Sequence, residues 1–383
     1  MRRKNDILNL SIFQIMEGFL WKLSSAKRED FMKKIIPIFM ALTVALTALT
    51  GCSTKKGEPE TKPQDTTASL SQEVTESKTD SAKNESYTLK IGSLKGPTSM
   101  GLVELKDQSS KGTSEGSYEF TMVTAADELL GKIVSKELDI ALVPANMASI
   151  LYTKTNHEIT VLDINTLGVL YGISGDASIK TTADLKGKTI YLTGKGTTPD
   201  YVLQHLLKAN GLTAEDVTLE YKSEATEVAS ILKEKPDAVG ILPQPFATAA
   251  MVQNDKLHMV LDLTKEWDAK SGSEGGSLVT GVTICRNEVL KEHKEAVDTF
   301  MAEHKKSAEF VNSNVSEAAA LVVSDGIIEK APIAEKAIPY CSITYIDGKD
   351  MKPLLGGYLN VLFDMEPSSV GGALPDDSFY YMP

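Results

Sequence analysis

From residue 87 onward, apolar strand-like runs alternate with helical patterns, and the alternation is run through twice. YTLKIGS (87–93), YEFTMV (118–123) and LDIALV (138–143) read as strands, with helices predicted near 99–106, 125–136 and 145–153. A βαβαβα order of this kind implies a largely parallel sheet with helices on its faces, because parallel neighbours need a crossover connection. The strand-rich stretch ITVLDINTLGVLYGIS (159–174) breaks the rhythm. A second unit then predicts strands at 184–194, 217–222, 237–243 and 258–263, with helices at 199–209, 224–235 and from 246. The polar loop KSGSEGGS leads into LVTGVTICRNEVL, and the remainder reads as mostly helical. Within 297–311, Val297, Phe300, Met301, Ala308 and Val311 fall on one helical stripe, the spacing of a core-facing helix. The expected class is α/β: two similar lobes in tandem, with a helical tail closing back onto the first. Two lobes joined by two crossings leave a cleft, and clefts at domain interfaces are where small ligands bind.

Each lobe carries the same device after its first strand. In the first lobe the strand runs into Gly96-Pro97-Thr98-Ser99, and in the second into Gly194-Lys195-Gly196-Thr197-Thr198. Thr198 suits a helix N-cap, Pro199 the first helical position and Asp200 the first turn. Either loop alone is what a capped turn requires. Two of them at the carboxyl ends of equivalent strands point to ligand binding by free backbone N–H groups. Two further strand ends match, Pro144-Ala145-Asn146 and Pro243-Gln244-Pro245. Asn146 and Gln244 each offer an amide donor and acceptor to a polar ligand, or serve as a cap and a turn residue. The helix after Thr98 starts without an acid and can take an anion, whereas Asp200 works against a second anionic group. A neutral or zwitterionic ligand is at least as well supported.

The formal net charge of −12 argues against nucleic acid or an anionic membrane surface as the main partner. Arginine is confined to Arg2, Arg3, Arg28 and Arg286, so only Arg286 could clamp an anion bidentately within the lobes. KGKT (186–189) resembles half of a phosphate-binding loop, but Thr182 stands where its first glycine belongs and a strand follows it. The five histidines (157, 205, 258, 293 and 304) show no metal-ligand spacing, and no G-x-S-x-G elbow occurs. Cys285 and Cys341 could pair in an exported protein or stand as two separate buried thiols.

Residues 32–52, MKKIIPIFMALTVALTALTGC, set a basic start before a short apolar run. That is the layout of a secretory signal and too short to span a bilayer comfortably. It closes on Leu49-Thr50-Gly51-Cys52, which resembles the bacterial lipobox, whose cysteine is diacylated and becomes the mature N-terminus. The competing reading is a short membrane anchor with an incidental cysteine. Residues 1–31 do not fit a signal, so Met32 is the expected start and 1–31 an upstream extension. Removing residues 1–51 takes out eight basic and four acidic residues and leaves the rest near −16. After the lipidated Cys52, the segment to residue 86 is polar and expected to be a disordered tether, with a reach on the order of 30 Å.

Residues 87–383 resemble a substrate-binding lipoprotein of an ABC importer, of the nitrate/sulfonate/taurine-type family that also includes binders of thiamine-precursor pyrimidines. The resemblance rests on IGSLKGPTSMGLVEL, LDIALVPANMASILY, DLKGKTIYLTGKGTTPDYVLQHLL, AVGILPQPFATAAM and the tail GYLNVLFDMEPSSVGGALPDDSFYY. It implies the type II periplasmic-binding-protein fold, two α/β lobes joined by two hinge strands around a ligand cleft. Lobe 1 would be 87–173 plus 286–383 and lobe 2 would be 174–285. By position, the family's pocket falls on Gly96, Pro97, Thr98, Ser99, Asn146, Thr197, Thr198 and Gln244, with Tyr171 a candidate for stacking on a ring. The implied partners are a small-molecule solute, an ABC permease with its ATPase, and a lipid anchor in the membrane. The implied protein is a monomer without cofactor, metal, nucleic acid or catalytic residues. A ligand-sensing module for a membrane receptor and an extracytoplasmic enzyme on the same fold are the alternatives. Cys52→Ala is expected to abolish lipid labelling of the exported chain, and labelling that persists contradicts the lipobox assignment.

Overall fold

The computed structural model describes residues 87–271 and 276–383. The extension at 1–31, the signal at 32–51, Cys52 and the tether lie outside the described residues. The first sheet holds β1 (Thr88–Leu94), β2 (Ser117–Val123), β3 (Ile140–Pro144), β4 (Ile159–Leu167), β10 (Val279–Arg286) and β11 (Ile343–Asp347). Its order is β11-β4-β10-β3-β1-β2. The second holds β5 (Leu170–Ser174), β6 (Thr189–Thr193), β7 (Thr218–Lys222), β8 (Val239–Pro243) and β9 (His258–Asp262), in the order β7-β6-β8-β5-β9.

The two sheets follow one plan. In the first, β1 pairs in parallel with β2 and β3, and in the second β6 does the same with β7 and β8. Each parallel trio is then extended by an antiparallel strand that has just arrived from the other lobe. That strand is β10 beside β3, and β5 beside β8. β4 and β9 complete the equivalence by flanking these arrivals. The expected boundaries place 170–173 with the first lobe and 279–285 with the second. Hydrogen bonding puts β5 in the second sheet and β10 in the first, so the chain changes sheet at Gly168–Val169 and again between residue 271 and Val279. In the stretch 159–174 a single glycine, Gly168, stands at that point, and the strand partners mark the change.

Helices cover the sheets where the alternation predicts them. The first lobe has α1 (Pro97–Met100), α2 (Val103–Ser110), α3 (Ala126–Val134) and α4 (Ala145–Lys154). The second has α5 (Thr198–Ala209), α6 (Ala225–Glu234), α7 (Phe246–Gln253) and α8 (Leu263–Ser271). The predicted helix at 99–106 is two pieces broken around Gly101-Leu102, and α8 is an additional helix just ahead of the glycine-rich loop. Its Trp267 is fully buried, which gives this polar helix its anchor.

The tail folds as α9 (Asn287–Glu292), α10 (Lys294–Ser313), α11 (Val315–Ser324), α12 (Ala331–Ala337) and α13 (Gly348–Met365). The apolar stripe of α10 is buried as its spacing predicts. Its buried Glu303 accepts hydrogen bonds from the N–H groups of Glu115 (2.8 Å) and Gly116 (3.1 Å) and from the Tyr118 hydroxyl (2.5 Å), tying α10 to the start of β2. α13 packs against both lobes: Met351, Leu355, Tyr358 and Leu359 share one buried cluster with Leu203 and Leu206 of α5 and Val282 of β10. The Tyr358 ring stands 5.7 Å from that of Trp267. Cys285 and Cys341 are separate buried thiols, both pushed up in pKa by burial. No described helix is long and apolar enough to cross a membrane.

The last residues return to the first lobe. Ser149 donates to the Val370 carbonyl (2.7 Å), the Tyr381 N–H donates to Val161 (2.9 Å), and the buried Phe379 ring meets Tyr152 edge-on at 5.0 Å. Truncating Phe379 to Ala is expected to lower stability by about 3–5 kcal/mol in urea unfolding. A loss under about 1 kcal/mol would mean that the tail contributes little to the first lobe.

Candidate functional site: the edges facing across the crossing

Strand directions bring the two repeated devices to facing edges. β4 lies two antiparallel steps from β3, so its end at Leu167 shares an edge with the ends of β1 and β3. Three residues later β5 begins in the other sheet, where Leu170 pairs with Pro243 at the end of β8. The carboxyl ends of β1 and β3 therefore look across Gly168–Val169 at those of β6 and β8. Hydrogen bonds pin this region. The Gln244 N–H donates to Val169 (2.9 Å), Leu167 N–H donates to Ser342 (3.0 Å), and the Tyr171 hydroxyl donates to the Tyr340 carbonyl (2.8 Å).

In the first lobe the turn after β1 is closed by its own hydroxyls. Thr98 donates to the Leu94 carbonyl (3.0 Å), and Ser99 reaches the same carbonyl (2.6 Å) and the Ser93 hydroxyl (3.0 Å). Gly96, at φ 144°, takes a conformation closed to most L-residues and lets the chain reverse into Pro97. Both hydroxyl side chains are buried, so what this loop turns outward is chiefly backbone around Gly96 and Pro97, both half-buried, and the exposed Lys95. α1 is only four residues long, which leaves too little aligned dipole to hold an anion by itself.

In the second lobe the loop is held by the acid that follows it. Asp200, 3% exposed, accepts from the Gly196 N–H (2.8 Å), the Gln204 amide (2.7 Å) and the Tyr221 hydroxyl (2.8 Å). The carboxylate is thus consumed as a clasp for the loop. Burial and this same carboxylate push the Tyr221 phenol up. Thr197 is exposed and closes the turn by donating to Gly194 (2.6 Å), while Thr198 is the half-buried first residue of α5. Lys195 stands 5.4 Å over the Tyr221 ring, at the station Lys95 occupies in the other loop.

The remaining candidates divide. Asn146 starts α4 half-buried and donates to the Ser369 carbonyl (3.2 Å), which fixes its amide against the tail. Gln244 is 1% exposed; its Oε1 accepts from the Thr248 N–H (3.3 Å), and its Nε2 has no hydrogen-bond partner among the described residues. Tyr171 is 3% exposed, with its ring in the second lobe's core and its phenol pushed up by burial and by Asp262. Its hydroxyl ties the lobes together through Tyr340. Arg286 lies at the far end of β10, about 23 Å of strand from Val279. Its guanidinium is held by Asp139 (2.8 Å) and Glu288 (2.9 Å), which withdraws it from anion recognition at the facing edges.

Sequence reasoning missed three features of this region. Thr248 and Thr264 are buried hydroxyls without partners among the described residues, and nothing in their spacing marks them. A ladder behind Thr98 runs from Asp163 through Thr283 (2.9 Å) and Asn165 (3.1 Å) to Thr166 (2.9 Å). The run of polar residues in β4 and β10 is its only sequence signal. A side chain on Gly281 would meet the Thr98 methyl at 2.5 Å and Asn165 Oδ1 at 2.6 Å, so this glycine is the space into which the Thr98 loop packs. Gly281→Ala is expected to destabilise the chain by about 1–3 kcal/mol, read by urea unfolding. An unchanged midpoint would show that the loop can shift freely.

Comparison with known proteins agrees with this architecture. Residues 158–318 match the family described as NMT1/THI5 like. Proteins named as binding proteins in Brucella abortus and Brucella suis are 24% identical over 187 residues, 49% of this chain and 56% of theirs. The chain thus spans about half the length of the curated relatives it matches. Among solved structures, an ABC transporter protein of Parabacteroides distasonis superimposes with TM-score 0.65 at 23% identity, over 77% of this chain and 98% of that one. The periplasmic aliphatic sulphonate binding protein SsuA of Escherichia coli does so with TM-score 0.62 at 15% identity, over 77% and 92%. The chain therefore has a periplasmic-binding-protein fold, and its residues 158–318 are similar to the NMT1/THI5-like family.

Proposed function

We propose that this chain is the extracytoplasmic solute-binding component of an ABC importer, held at the membrane by lipid on Cys52. It captures a small organic solute between its two lobes and presents it to a permease served by an ATPase, acting as a monomer and without chemistry of its own. The observation that carries this reading is the pair of equivalent loops, after β1 and after β6, set on facing edges across one short crossing. A solute touching both edges binds the closed arrangement better than the open one. Roughly 5.5 kcal/mol of such preference turns a 1:99 equilibrium into 99:1.

The solute is read as uncharged or zwitterionic. Arg286 is withdrawn into its own ion pairs, α1 is too short to hold an anion, and Asp200 is spent within its loop. The groups left for recognition are loop backbone, the Gln244 amide and hydroxyls. Thr197, Thr198, Asn146 and the Gly96–Ser99 turn are assigned here as the walls of the site.

The test is a thermal-shift screen of the full chain in detergent against sulfonates, nitrate, pyrimidines, flavins and amino acids. A saturating solute at a hundred times its Kd adds about 2.7 kcal/mol, a rise of a few degrees. Thr98→Ala with Asn146→Ala, which removes the hydrogen bonds that hold two walls of the site in place, should weaken that response at least tenfold in Kd. No response to any compound, or a response untouched by the double substitution, counts against the proposal.

A further inference from the structure

The amide of Gln244 has a fixed orientation. The Thr248 backbone N–H lies 3.3 Å from one end of it, and since an N–H can only donate, that end is the oxygen. The other end is an NH2 group with two donors. It is buried, in a residue 1% exposed, and has no partner among the described residues. One helical turn on, Thr248 is 3% exposed and its hydroxyl is also unpartnered. A third such hydroxyl, Thr264 at the start of α8, packs against Gly168 in the crossing.

Gln244 and Thr264 both belong to segments that meet this crossing: the Gln244 N–H is bonded to Val169, the residue next to Gly168. The other buried side-chain atoms without hydrogen bonds among the described residues belong to Asp163 and His304, which face each other at 3.5 Å. Unpaired buried donors cost stability and are kept where something else completes them. The nearby carboxylate of Asp262 is already engaged by the N–H groups of Thr264 (3.1 Å) and Lys265 (3.2 Å) and by the Lys265 ammonium (3.1 Å). A cavity of about 450 Å³ adjoins Thr248, bounded by Met251 on its own helix and, from the other lobe, by Pro339, Tyr340 and the oppositely charged Glu335 and Lys336.

Resting on the solute-binding reading, we propose that Gln244 and Thr248 form a donor-presenting recognition point at the crossing. It selects a solute that places a hydrogen-bond acceptor there, such as a carbonyl oxygen, a ring nitrogen or a sulfonyl oxygen, and it rejects an ammonium group. Gln244 sets the polarity, because its oxygen is spent on the helix. Thr248 follows it by donating its hydroxyl proton.

The experiment uses the full chain in detergent with three small probes: methanesulfonate and pyrimidine, which present acceptors only, and ethylammonium, which presents donors only. At least one acceptor probe should raise the melting temperature of the unaltered chain, and ethylammonium should not. Gln244→Glu keeps an oxygen for the Thr248 N–H and replaces the free donors with a second acceptor. It should weaken the acceptor probe about tenfold, the loss of one hydrogen bond, and admit ethylammonium. Thr248→Val removes a hydroxyl that has no partner, so it should leave the melting temperature without probe unchanged or higher while weakening the acceptor probe. The inference is overturned if neither acceptor probe acts, if ethylammonium stabilises the unaltered chain, if Gln244→Glu keeps the original preference, or if Thr248→Val lowers the probe-free melting temperature. Ethylammonium acting alone on the unaltered chain would overturn the polarity while leaving a solute binder. Silence across the whole panel of sulfonates, pyrimidines, flavins and amino acids overturns the solute-binding reading itself.

Discussion

The structure depends on an exchange of strands. Each lobe builds a parallel trio from its own chain, and each trio is extended by an antiparallel strand that enters from the other lobe, β10 beside β3 and β5 beside β8. Neither sheet has its full set of strands without the crossings. The same exchange fixes orientation, because an arriving strand must start at the edge where its parallel neighbours end. The repeated loops face one another for that reason, and a two-residue crossing keeps them close.

The site made by this geometry is sparing with charge. Its most obvious ionic candidates are committed elsewhere: Arg286 to Asp139 and Glu288, Asp200 to three donors of its own lobe. The hydroxyls that looked like grips, Thr98 and Ser99, close their own turn against Leu94. What remains to meet a solute is backbone around the glycines, exposed Thr197 and the buried donors of Gln244 and Thr248. Exposed Lys95 and Lys195 stand at matching stations of the two loops, outside these neutral groups.

Much of this was legible in the sequence, and the failures share a cause. The alternation, the two glycine-hydroxyl loops and the stripe of α10 are local patterns, and local patterns survive into the fold. β11 was read as part of a helical tail because its pairing partner, β4, lies far away in the chain, and edge strands of five residues carry little periodicity. α8 escapes the sequence pattern because its surface is polar and one buried tryptophan anchors it. Position alone makes Tyr171 a candidate for stacking on a ring near the crossing. Its ring is core and its hydroxyl bridges to Tyr340, a partner 169 residues away that no spacing rule could indicate. Gln244 was singled out as an amide at a strand end, but which of its atoms is free depends on Thr248, and only geometry supplies that.

The central claim is that the two lobes close on a solute across the 168–169 crossing. The most direct measurement is a distance distribution between spin labels on exposed positions of the two lobes, Lys136 and Lys233, with and without the compound giving the largest thermal shift. The account predicts a shorter and narrower distribution when the solute is bound. A distribution unchanged at saturating solute would contradict it.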